Sequence, residues 1–235
     1  METNGLIGGF YKFSVLITRF ALINVLWLLF NLPIVYILLS LLVSDDFTSL
    51  QMGLITIAFI SPFIFFPATT AMYGVVRKWV MGESDIPILR SFLRYYKENY
   101  KRSLLGGFVF ALFWMSWILN YFMFFQQQSK FFIFMFILIT AFFFTWNAYF
   151  LSFTVHFEMK FIASLKNSFM LTVGNPFSSI GLALINGVLI YISFNFTFII
   201  PFFIGSLSVY FSFFYFYKVI QKAMILLEAN GSVNS

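Results

Sequence analysis

The sequence predicts an all-α fold, a polytopic helical membrane bundle of about six transmembrane helices with a basic interfacial helix between two of them. Three observations lead there. The chain is 61% hydrophobic and only 9% charged, against about 25% charged residues in an ordinary soluble domain, so water could not solvate its surface. Several nearly uncharged runs exceed about 18 residues, long enough to cross a bilayer core about 30 Å thick. Runs such as FFIFMFILITAFFFTW do not alternate apolar and polar residues, which argues against a transmembrane barrel and leaves helices, whose backbone groups are satisfied internally in lipid.

Taken in order, the spans are expected at about Phe20 to Leu42, Met52 to Val75, Leu104 to Phe125, Phe131 to Val155, Ser178 to Phe196 and Ile200 to Tyr217. Residues 1–235 form one integral membrane domain. The first apolar run exceeds the length of about 7 to 15 residues of a signal-peptide core, and no small-x-small cleavage site follows, so it stands as span one. Pro33 in NLPIV and Pro62 and Pro67 in SPFIFFPATTAMYG each remove a backbone donor. The first two spans are therefore expected to be bent, with Ala68, Thr69, Thr70 and Ala71 offering small faces for close packing. Ser178 to Tyr217 contains no charge; the break from Asn195 to Pro201 divides it into two spans, and five spans is the alternative count.

Charge tests this topology, because lysine and arginine gather in the loops of the inner side. Thirteen of the fourteen fall before span one (Lys12, Arg19), between spans two and three, between four and five, or after six, leaving Lys130 opposite. Both termini are expected in the cytoplasm. The first outer loop, VSDDFTS, carries Asp45 and Asp46 and no basic residue, in keeping with that placement. The net charge of +6 thus reflects orientation in the membrane, and nucleic-acid binding is not expected.

The stretch ILRSFLRYYKENYKRS, Ile88 to Ser103, holds five of these fourteen cations. At about 100° per residue, Arg90, Arg94, Lys97 and Lys101 fall within about 60° of one another, while Ile88, Leu89, Phe92, Leu93, Tyr96 and Tyr100 fill the remaining, largely opposite arc. Pro87 suits the first turn of the helix. An amphipathic basic helix over 87–102 is expected to lie in the inner interface, with Arg90, Arg94, Lys97, Lys101 and Arg102 toward membrane lipid headgroups or a partner protein. Either it is an elbow that fixes topology or it is a docking surface. A second segment, FIASLKNSFMLTVGNP, repeats the order of span, inner helix and span as a weak parallel duplication.

No aspartate, glutamate, lysine or arginine lies deep within an expected span, which disfavours coupled ion transport by this chain alone. Uncharged polar residues do occur there: Asn24, Asn31, Thr69, Thr70, Asn120, Asn147 and Asn186. Interhelical hydrogen bonding is their commoner use. Asn31, Thr69, Thr70 and Asn147 are the candidates for an intramembrane polar site. His156 and Glu158 in TVHFEMK point to nearly opposite faces of a helix, and a lone histidine does not supply the three ligands of a catalytic zinc. Glu158 is expected to pair with Lys160 or Lys166. With no cysteine, no GxxxxGK loop and no evident nucleophile partner for His156, no catalytic, cofactor-binding or metal residue is assigned, and the protein is not expected to be an enzyme.

The succession INVLWLLFNLPIV, then FPATTAMYGVVRKWVMGESDIPILRSFLRYYKENYKRS, resembles the YesL-like family of bacterial integral membrane proteins of unknown function. The resemblance rests on Asn24, Leu26 and Trp27, on Leu32 to Val35, on Pro67 to Ala71 and on Ser91 to Asn99, covering about residues 20 to 105. It implies five or six spans, the bacterial cell membrane, and a link to carbohydrate ABC transporters and glycan-degrading enzymes of Gram-positive bacteria. The first outer loop and the Phe-rich centre look longer than the family pattern. The leading expectation is a non-enzymatic accessory or regulatory membrane protein of carbohydrate uptake, bound to ABC-type permease subunits. The alternative is a facilitator or channel-like transporter of a small neutral solute.

Overall fold

A computed structural model describes residues 6–44, 46–83, 85–124 and 130–233. Asp45 of the first outer loop and Phe125, the expected end of span three, lie outside them, as does the side chain of Lys12. Among the described residues there is no strand. The chain begins with α1 (Leu6–Phe30) and α2 (Leu32–Val43), followed by α3 (Phe47–Ile60) and α4 (Phe65–Val80). A long helix, α5 (Ile88–Phe124), leads to α6 (Lys130–His156), α7 (Phe161–Gly174) and α8 (Pro176–Asn195); a π-helical turn, Ile200–Ile204, then opens α9 (Gly205–Val233). Five of these helices are long and apolar enough to cross a membrane, and the bent pair α3 and α4 makes a sixth when counted as one span. The protein is a multi-pass helical membrane bundle.

Prolines account for the breaks. Span one, expected as a single helix from Phe20, begins at Leu6 and is divided at Asn31, because Pro33 occupies the first turn of α2 and supplies no N–H. The Asn31 N–H still bonds to the carbonyls of Trp27 and Leu28, at 3.1 and 3.0 Å, so the turn stays compact. Asp46 caps α3 by accepting from the N–H groups of Ser49 and Thr48, at 3.0 and 3.3 Å. Those bonds, Ser49's first, hold its exposed carboxyl below the ordinary carboxylate range. Between α3 and α4 the chain bends by 56°. Pro62 and Pro67 leave the carbonyls there without their usual donors, and Phe66 N–H bonds instead to Ser61 at 3.0 Å, five residues back. The bend expected of the second span is present.

From Phe66 to Val76 every residue of α4 is buried, and α5, α9, α6 and α1 pack around it. A single post on which four helices converge must be slim, and the Pro67 to Ala71 segment supplies small side chains. Thr69 and Thr70 return their hydroxyls to the carbonyls of Phe65 and Phe66, at 2.7 and 2.8 Å, so they add no unmet donor to the interior. Where α5 passes the turn between α3 and α4, a Cβ on Gly107 would stand 2.7 Å from Pro62 Cα. Such contact of backbones is how helices gain dispersion energy in lipid, where burial of apolar surface gives no drive to associate. Tyr36, Leu42, Phe59, Leu112, Ile137 and Tyr191 point outward among many other exposed apolar side chains, as a lipid-facing wall requires.

α4 stops at Gly82, whose φ of 93° lies in the left-handed region. The Gly82 N–H bonds to Trp79 O at 3.1 Å and the Glu83 N–H to Lys78 O at 2.8 Å, the paired closure of a Schellman turn. The next helix departs from expectation. Instead of an interfacial helix over 87–102 and a separate span from Leu104, α5 runs unbroken for 37 residues. Ser103 bonds back to the carbonyls of Asn99 and Tyr100 at 2.8 and 3.0 Å, and no proline interrupts the chain between Ile88 and Phe124. The proposed duplication loses its likeness at this place, since α7 is cut from α8 at Asn175 and Pro176. Spans four and five, expected at 131–155 and 178–196, agree with α6 and α8 within two residues at each end.

Candidate functional site

The structure separates the singled-out residues into two regions. At one end of the bundle, arginines grip the C-terminus of α6. The last carbonyls of a helix have no intrahelical donor and carry partial negative charge. Arg77 of α4 donates to Val155 O, and Arg102 of α5 donates to Phe157 O at 3.0 Å and to Ser164 Oγ of α7 at 3.3 Å. Arg102 is thus half-buried and turned into the protein, which corrects its assignment to a lipid or partner contact. Replacing it with methionine, which keeps the stem and removes the donors, is expected to cost about 1.5–3 kcal/mol. The melting midpoint in mild detergent should fall, with Arg102→Lys between the two; an unchanged midpoint would show that the clamp carries no stability.

The same end holds the ion pairs Arg19 with Asp85, at 2.6 Å, and Lys78 with Glu83, at 2.8 Å. Glu158 forms no ion pair with Lys160 or Lys166 among the described residues. His156 is packed among the rings of Phe157, Phe213, Phe216 and Tyr217, at 4.6 to 5.8 Å between centroids. No cluster of three metal-ligating side chains occurs among the described residues.

Arg90, Arg94, Lys97 and Lys101 remain outward on the first half of α5. Arg94 lies 4.8 Å over the Tyr95 ring and 3.9 Å from Glu98; the other three form no ion pair among the described residues. Phe92 and Tyr95 face the core, whereas Leu89 and Leu93, expected on the arc opposite the cations, are exposed beside them at 58% and 39%. The result is a ridge of four cations and two leucines. No acidic residue occupies the first turn of α5, so its N-terminal partial charge is uncompensated and Arg90 adds to it. This charge does not serve the helix itself.

The second region is inside the bundle. Two cavities, of about 410 and 250 Å³, share Phe65 and Asn147 as a common wall. The larger lies among α2, α3, α4, α5 and α6 and is lined mainly by aliphatic side chains, with Phe65, Phe66 and Trp114 at its side and Gln51 and Ser61 as its further polar groups. The smaller lies among α1, α4, α6, α8 and α9 and gathers Thr69, Asn186 and Ser208 around Asn147. Of the four candidate polar residues, Thr69 and Asn147 meet here. Asn31 and Thr70 line neither cavity: Asn31 donates to Trp27 O at 2.8 Å and Thr70 to Phe66 O at 2.8 Å.

Most polar groups near the smaller cavity already have partners. Trp27 Nε1 donates to Thr69 Oγ1 at 3.0 Å, tying α1 to α4. Ser208 donates to Asn186 Oδ1, and Asn186 Nδ2 to Leu182 O at 2.9 Å. Asn147 is the exception, its Oδ1 buried with no hydrogen bond. Asn24, placed with the structural amides in the sequence, binds the π turn: its Nδ2 donates to Pro201 O at 2.7 Å and Ile200 O at 3.3 Å, and its Oδ1 accepts the Ser206 N–H at 2.9 Å. Ser208 was not singled out by the sequence, where an isolated serine in an apolar helix gives no signal.

Comparison with known proteins follows the same outline. A family described as a protein of unknown function, DUF624, matches residues 20–121, which run from mid-α1 through α5. The uncharacterized protein YteU of Bacillus subtilis (strain 168) is 35% identical over 112 residues, 48% of this chain and 39% of YteU. The uncharacterized protein YesL of the same organism is 27% identical over 200 residues, 85% of this chain and 83% of YesL. The chain thus spans well under half of YteU but most of YesL. No solved structure matches. From mid-α1 through α5 the chain matches the DUF624 family model, and over most of its length it is similar to YesL, so its likeness is to the YesL-like family of proteins of unknown function.

Proposed function

We propose that the chain is a non-enzymatic accessory or regulatory component of an ABC-type carbohydrate importer in the bacterial cell membrane, docked on permease subunits through the first half of α5. The observation that carries this reading is the ridge of Leu89, Arg90, Leu93, Arg94, Lys97 and Lys101, exposed and largely without ion pairs among the described residues. Exposed cations interleaved with leucines fit a surface that is acidic at its rim and apolar at its centre. The positive-inside trend assigns the basic end, and with it both termini, to the cytoplasm. The link to carbohydrate import comes from the resemblance over residues 20 to 105. The cavities support the facilitator reading less well, because a polyol would leave several hydroxyls unpaired against aliphatic walls.

The test is co-purification from native membranes. Reversing Arg90, Arg94, Lys97 and Lys101 to glutamate should abolish recovery of sugar-permease subunits with the tagged protein, while its own membrane insertion stays normal. Undiminished recovery from the inserted variant would remove the proposal.

A further inference from the structure

Asn147 sits where both cavities meet, and its surroundings say what would satisfy it. Its Oδ1 is buried and accepts nothing, and among the described residues its Nδ2 donates to nothing. An amide left without partners in an apolar interior costs free energy comparable to a lost hydrogen bond, and a bound molecule that supplies the partner recovers it. No residue lining either cavity is charged. The occupant is therefore neutral. Ile34, Leu38, Leu54, Ile57 and Ala58 line most of the larger cavity, with Gln51 and Ser61 among them, so its wall accepts a hydrocarbon chain over most of its length. Ser208 and Asn186, which give their hydrogen bonds mainly to each other and to Leu182 O, stand beside Asn147 in the smaller one. Together the cavities fall in the range of about 300–1,000 Å³ usual for small-molecule sites, with apolar walls and few polar groups.

We infer that the paired cavities bind a neutral single-chain amphiphile, its aliphatic tail in the larger cavity and its hydroxyl, ester or amide head on the Asn147 side chain. The tail contributes most of the binding, by dispersion against the aliphatic wall. The head contributes selection: a long-chain alcohol meets both the donor and the acceptor of the amide, while an alkane of equal length leaves them unpaired. Phe65, in the wall common to both cavities, marks where tail gives way to head. The site lies apart from the basic ridge of α5, so occupancy of the one and docking through the other are separable by experiment.

Trp27 lines the smaller cavity and Trp114 the larger, which makes quenching of tryptophan fluorescence a direct reading. The full chain would be placed in nanodiscs of saturated phosphatidylcholine and titrated with 11-bromo-1-undecanol and, separately, 1-bromoundecane. The alcohol is expected to quench saturably and to be displaced by unbrominated 1-undecanol at least tenfold more effectively than by undecane. Asn147→Leu loses no internal hydrogen bond, so it should fold; it is expected to weaken the alcohol at least tenfold and leave the bromoalkane unchanged. Ala58→Phe, which fills the tail cavity, should abolish saturable quenching by both probes. Quenching that rises linearly with probe in the wild type, as from the bilayer alone, overturns the proposal. So does equal saturable binding of the alcohol by wild type and both variants.

Discussion

Replacing Asn24 with alanine is expected to destabilise the bundle more than any other single change at a polar position. The amide is fully buried and joins α1 to residues almost the whole chain away. Two donor contacts reach Ile200 O and Pro201 O, and one acceptor takes the Ser206 N–H. These backbone groups need a side chain because the π turn and Pro201, which has no N–H, interrupt the regular ladder of α9. Lipid offers no water to replace the lost partner. At about 1–3 kcal/mol for each group left unmet, the expected loss is several kcal/mol. Asn24→Asp, which replaces the donor with a carboxylate oxygen facing the carbonyls of Ile200 and Pro201, should not recover the loss. Thermal midpoints in detergent, with size-exclusion profiles, would check both, and an Asn24→Ala protein as stable as wild type would disprove the bracing role.

Gly107→Ala is the second large effect. The added methyl would stand 2.7 Å from Pro62 Cα and 3.0 Å from the Phe66 ring. Real side chains do not approach backbone so closely, and neither partner is the loose end of a flexible group. α5 must move off the turn between α3 and α4 there, at a cost of about 1–3 kcal/mol for overpacking and more for larger residues. Gly9, exposed on α1 with nothing near its missing Cβ, is the matched control. The expected result is a lowered midpoint for Gly107→Ala, a failure to insert or to survive detergent for Gly107→Leu, and no loss for Gly9→Ala.

The membrane class and the extents of α6 and α8 were legible because charge and proline mark their ends: Lys130 opens α6, and Pro176 opens α8. The bend between α3 and α4 was legible from Pro62 and Pro67 for the same reason. The unbroken α5 was misread. High charge over residues 90–102 suggested a helix lying flat, yet charge decides where a helix sits and only backbone chemistry decides where it ends. The meeting of Thr69 with Asn147, and of Asn24 with Pro201, depends on how distant helices rotate against one another. A single sequence with apolar residues on nearly every face does not record that rotation, since almost any helical face could turn inward.

One consequence of the 37-residue α5 is mechanical. At about 1.5 Å per residue the helix is about 55 Å long, and it carries the basic ridge near one end and Ala111, Trp114 and Met115 of the larger cavity wall further along. Between the two lies the close approach of Gly107 to Pro62. A continuous helix has no joint in which a small tilt can be absorbed. The ridge and the cavity wall are therefore parts of one rigid element, and a displacement of either end is borne by the packing along its whole length.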